Sequence, residues 1–423
     1  MTCRNFSSSI FTYFIFFFLI NLIYSKFYLV GNFNVSTIPI ANNNNLNIFV
    51  DYIEDLLTNK KNISHLIFFE NEINTNFYYT QYLILKILCL FFDNEVLIFK
   101  LYFILKNILT YLICFFVLNS FEKNYLKNFF IATILTFIPF NLFEQKNNLF
   151  LLSYYSVPLS FLFIKNYNLS LKVLFFKILV CTFILCSGLN YAIYTCVFIL
   201  FCIIKNLFEN KSNVILYISL LIFFLIFTLN YFFLNNVHFA FKFHSFDFSF
   251  YTRTEQYFLK LIHMILPIKN HFINILSNTR TYYEILMSAY PGYKSSTALG
   301  LFGSITYVFL LLNFLFNFKF LEKIEIKSFE NCTKLFPFFV FFSIPLFGVG
   351  GIINIVNLNN LYFLEFSSSI VLISLICYTY FFNILFEISK NFKYKNILFF
   401  LVFIFVLTDL GGKNFSEIEP YLN

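Results

Sequence analysis

The chain has 423 residues, of which 59% are hydrophobic and only 12% charged, with a mean hydropathy of +0.76. Water-soluble domains carry about one quarter charged residues, so this composition excludes an ordinary soluble protein and calls for lipid as the solvent. The formal net charge of +8 is carried by lysines scattered over short connections, with no basic domain and no aromatic RNA-binding signature, which excludes a nucleic-acid partner.

Crossing the hydrocarbon takes about 20 apolar residues, and only helices or closed barrels satisfy their backbone there. The apolar runs of this chain are too long for barrel strands, so the expected fold is an all-α bundle of about eleven transmembrane spans forming one integral membrane domain over 1–423. In chain order the spans fall near 9–26, 96–119, 129–143, 149–164, 172–187, 189–204, 213–234, 299–318, 336–350, 360–386 and 396–410. The first follows Arg4 and reads as an uncleaved signal anchor.

Segment 77–92 is apolar but short, with Lys86 at its centre. Treated as an amphipathic interfacial helix, it leaves the lysines of the alternate connections (Lys123 and Lys127, Lys165 and Lys172, Lys205 and Lys211, Lys319 to Lys334, Lys390 to Lys395) all on the side of Arg4. That positive-inside pattern predicts a cytoplasmic N-terminus, an outer C-terminus and two large outer loops, 27–95 and 235–298. A bacterial inner membrane is the expected location.

The first loop contains NIFVDYIEDLL, in which Asp51 and Asp55 share a helix face with Glu54 beside them. Grouped carboxylates raise one another's pKa toward that of a general base, or hold a divalent cation, which the sequence permits without requiring. A solvated acidic turn is the structural alternative.

The second loop holds two of the three arginines, Arg253 and Arg280, on either side of an apolar plate, Tyr257 to Ile268, that Pro267 ends. Guanidinium groups fork onto phosphate oxygens, and such a plate suits a lipid phosphate. Local ion pairs with Asp247, Glu255 or Glu284 are the alternative. His271, just beyond Pro267, is a candidate phosphate or proton contact, while His263 reads as a packing residue. His238 and His244 lack ligand spacing, and the cysteines form neither a disulfide framework nor a zinc site. Lys106 falls near the middle of its span, where a charge faces a cavity or a partner, and Glu365 lies near the outer end of its own.

Two passages carry a resemblance. Pro139, Glu144, Tyr155, Val157, Pro158 and Leu159 form one. Glu255, Tyr257, Leu259, Lys260, Leu266, Pro267 and His271, followed by Leu299, Gly300 and Gly303, form the other. Together they resemble a bacterial family of polytopic membrane proteins grouped with GT-C-type glycosyltransferases. The resemblance implies a sugar transferred from a polyprenyl-phosphate donor to a surface glycan acceptor on the outer face. Asp51 or Asp55 would serve as base, and Arg253, Arg280, Lys260 and His271 would contact the lipid phosphate. A lipid-linked glycan polymerase or ligase, or a flippase of lipid-linked sugars, are the competing expectations.

Overall fold

The computed structural model describes residues 12–22, 57, 79–139, 141, 154–164, 171–187, 189–208, 214, 217–218, 220–222, 225–226, 261–268, 271, 273–286, 298–316, 336, 340, 369–390, 392 and 394–411. Among them there is no strand, so the fold class is all-α. The helices are α1 (Thr12–Leu22), α2 (Tyr79–Phe91), α3 (Glu95–Phe121), α4 (Tyr125–Thr136), a 3-10 segment (Tyr154–Phe163), α5 (Leu171–Ser187), α6 (Leu189–Phe208), α7 (Leu261–Ile265), α8 (Asn274–Leu286), α9 (Gly300–Phe316), α10 (Ser369–Ile388) and α11 (Lys395–Gly411). Two stretches among the described residues, Lys100–Phe121 and Ile370–Ile388, are long and apolar enough to cross a bilayer unaided.

The centre of the bundle is α3, α4, the 3-10 segment and α10, with α9 and α11 packed alongside. Aromatic rings fill it: Phe17 stacks on Tyr111 at 3.9 Å between centroids, and Phe130 on Phe403 at 4.6 Å. Tight ring packing matters here because van der Waals contact and interhelical hydrogen bonds, rather than water exclusion, hold helices together in lipid. The outward surface is apolar too, with Leu312, Phe314, Leu315 and Phe316 on α9 and Leu401, Ile404 and Phe405 on α11 all exposed. Surface of this kind is suited to lipid.

The two ends of the bundle differ chemically. At one end Lys127, buried at the start of α4, pairs with Glu122 and donates to Asn383 Oδ1 on α10 at 2.6 Å. Lys390 pairs with Glu387 at 2.5 Å, and Lys395 lies 5.8 Å over the Phe386 ring. The lysine-bearing connections 122–124 and 389–394 therefore close the same end. Asp409 sits fourteen residues beyond Lys395 on α11, which at the helical rise is ~21 Å away, at the opposite end.

One expectation needs correction. Segment 154–163, expected within a regular span, is a ten-residue 3-10 run with Pro158 inside it. Proline lacks the N–H for an α-helical bond and its ring crowds the carbonyl four residues back, which disfavours regular α-helix at that point. Within segment 77–92, Tyr79–Phe91 forms α2, in which Leu83, Ile87, Leu90 and Phe91 are exposed, while Leu85, Leu88 and Cys89 pack on Ile98 and Tyr102 of α3. The turn at 92–94 makes α2 and α3 a helical hairpin, with Asn94 Oδ1 accepting from Leu97 N at 3.0 Å as the α3 N-cap.

Candidate functional site

The site forms around α7, which is only five residues long. Pro267 cannot extend it, and the freed carbonyls of its last turn are taken up by α9: Ser304 Oγ donates to Met264 O at 2.9 Å, and Leu299 N donates to the same oxygen at 3.2 Å. Tyr378 on α10 donates to Leu299 O at 2.5 Å. Leu299, just before α9, is thereby held through both its backbone N–H and its carbonyl.

His271 follows. Ile273 N donates to its Nδ1 at 3.0 Å, so a neutral ring carries its proton on Nε2. Nε2 lies 2.7 Å from Asp409 Oδ1, and Leu301 N donates to the other oxygen, Oδ2, at 2.5 Å. A carboxylate in the last turns of α11 opposes that helix's own dipole, yet it lies at the N-terminus of α9, where the dipole and free N–H groups favour negative charge. Gly300 makes this approach possible. Its φ is +70°, and a Cβ there would stand 2.6 Å from Asp409 Oδ2.

Beside this pair runs a groove of about 440 Å³ whose walls include Ile265, Pro267, Ile268, Leu301, Ile305 and Val308, with His271, Ser304 and Asp409 as its polar side chains. Leu301 and Ile305 are 45% and 57% exposed, so the groove opens on the apolar outer surface of the bundle.

Arg280, on α8, is the largest fully buried side chain among the described residues, at 0% exposure on a helix whose other described side chains are exposed or half-buried. Tyr283, one turn on, meets the buried His263 ring edge-on at 5.5 Å and feels the Arg280 charge. Partial burial raises the Tyr283 phenol above its usual pKa, with Arg280 pulling the other way. His263 is thus a packing residue, as its apolar setting implied.

Of the residues singled out from the sequence, His271 and Arg280 are both buried; Pro267, His271 and Gly300 line one groove, Leu299 N donates to Met264 O of α7, and Gly303 packs on Leu299. Lys106 is buried elsewhere, on α3. Asp51, Glu54, Asp55, Glu144, Arg253, Lys260 and Glu365 lie outside the described residues. Asp409, Ser304 and Tyr378 carry no signal of their own in the sequence. The chain matches no protein-family model, no curated protein and no solved structure.

Proposed function

We propose that the chain is a GT-C-like glycosyltransferase of the bacterial inner membrane, with about eleven spans, that moves a sugar from a polyprenyl-phosphate-linked donor to a surface glycan on the outer face. The observation that carries this reading is the groove beside α9: apolar, open on the outer surface of the bundle, and ending at the His271–Asp409 pair. A long-chain lipid with a charged head needs that combination of surfaces.

In this mechanism the acceptor hydroxyl attacks the anomeric carbon while Asp51 or Asp55 takes its proton. The bond to the lipid phosphate breaks with its electron pair on the phosphate, and Arg280, with Arg253 and Lys260, meets the developing charge. His271, both of whose ring nitrogens are engaged, serves as a positioning residue that holds the loop against α9 and α11.

The test is mass analysis of surface glycans with and without the gene, complemented by Asp51→Asn, Asp55→Asn and Arg280→Met. Loss of one sugar residue, restored by the wild-type chain and by none of the three variants, is the expected result. An unchanged glycan in the deletion strain, or full complementation by all three variants, overturns it.

A further inference from the structure

Helix α8 has the reverse of the polarity that water would select. At about 100° per residue, Ile275, Tyr282, Ile285 and Leu286 fall on one face. All four are exposed, Ile275 at 74%, Tyr282 at 67% and Leu286 at 81%. Arg280 falls on the opposite face and is fully buried. A helix standing in water would turn its guanidinium group outward and its large apolar side chains inward.

The polar residues on the outward face limit how it can be covered. Thr279 Oγ1 donates to Leu276 O at 2.7 Å, so this hydroxyl is satisfied within the helix itself. Asn278 is exposed between the apolar side chains, and its amide needs water or lipid head groups, which keeps the face out of the hydrocarbon centre. Nor can α8 cross a bilayer. Its 13 residues reach only ~20 Å and more than half of them are polar.

The start of α8 is tied to the rim of the bundle. Ile273 N donates to His271 Nδ1, and His271 is bonded to Asp409, two residues before the end of α11. Leu276 shares the walls of the groove with Leu301 and Ile305, whose exposed side chains belong to the apolar outer surface of the bundle. Helix α8 therefore adjoins that surface at the level where α9 starts and α11 finishes.

We propose that α8 is an interfacial helix whose partner is the lipid bilayer. It lies along the head-group layer at the His271 end, with Ile275, Tyr282, Ile285 and Leu286 turned into the upper acyl chains and Arg280 turned into the protein. Tyr282 suits that level because a phenol joins an apolar ring to a polar tip. Seated on lipid, α8 holds Leu276 in place as a wall of the groove. The inference rests on the chain lying in a membrane and is independent of the transferase reading.

The chain contains no tryptophan, so a single introduced one reports alone. The experiment places the full chain, as Tyr282→Trp, in nanodiscs of phosphatidylcholine brominated either near the head group or near the chain ends. Iodide serves as the aqueous quencher. Ile404→Trp, at an exposed position near the middle of α11, calibrates the depth scale.

The expected result for Tyr282→Trp is blue-shifted emission, quenched more strongly by the shallow bromines than by the deep ones, with the order reversed for Ile404→Trp. Leu286→Trp gives the same comparison should Tyr282→Trp not fold. Quenching of α8 by iodide without quenching by brominated lipid would place the helix in water and overturn the proposal. Stronger quenching by the deep bromines would sink it into the hydrocarbon, and protection from both quenchers would mean that protein covers the face; either result also overturns it.

Discussion

His271 and Asp409 are 138 positions apart and share a 2.7 Å hydrogen bond. The carboxylate also accepts from Leu301 N, so one side chain joins the segment after α7, the start of α9 and the end of α11. Asp409→Ala leaves two buried donors without an acceptor. At roughly 1–3 kcal/mol for each stranded group, the expected loss of stability is about 2–4 kcal/mol. Asp409→Asn keeps one acceptor oxygen and should lose less. Unfolding of the purified variants in nanodiscs measures both, and a wild-type midpoint for Asp409→Ala would show that the contact contributes nothing.

Gly300 is coupled to that pair. A side chain at φ +70° costs about 1–2 kcal/mol by itself, because the Cβ crowds the following carbonyl. The Cβ of Gly300→Ala would also sit 2.6 Å from Asp409 Oδ2 and 2.9 Å from Leu410 Cδ2. Removing the Asp409 carboxylate relieves one of these clashes. The double variant with Asp409→Ala should therefore be less damaged than the two single losses added, by about 0.5–3 kcal/mol. Strict additivity would separate the glycine's role from the carboxylate's.

The opposite end of the bundle supplies a contrast. Lys127 is 2% exposed and holds Glu122 and Asn383 together, whereas Lys390 and Glu387 are 55% and 38% exposed in their side chains. Lys127→Met strands Asn383 Oδ1 and should cost about 1–3 kcal/mol, while Lys390→Ala should stay within about 1 kcal/mol of wild type. Neither lysine touches the groove at α9. Both variants should complement the glycan phenotype fully when expressed at wild-type levels, and a selective loss of transfer in Lys127→Met would move the functional site toward this end.

Apolar runs in the sequence were enough to locate α3, α10 and α11, because hydropathy reports directly on which segments avoid water. His271 also stood out, through the proline before it. Asp409 did not: a lone acid closing the run FVLTDLGG reads as the edge of a span, and its partner lies in another loop with no spacing to announce it. Lys106 was visible too, as a charge inside an apolar run, and it lies buried on α3. The break at 154–163 was legible in Pro158, whose effect on backbone geometry was outweighed by the apolar composition around it.

The two ends of the bundle make orientation testable. α11 carries Lys395 at its start and Asp409 near its finish, so the lysine end and the His271 end face opposite sides wherever α11 crosses the membrane. Asn278 is exposed on α8 at the His271 end, and Lys390 is exposed at the other. The described cysteines are buried or half-buried thiols, so with Cys3 and Cys332 changed to serine the labelling background should be low. Asn278→Cys should then react with a membrane-impermeant maleimide on spheroplasts, and Lys390→Cys only after permeabilisation. That outcome follows from the positive-inside distribution of lysines. Reaction of Lys390→Cys alone would invert the topology and place the groove on the cytoplasmic face, where an outer-surface acceptor could not reach it.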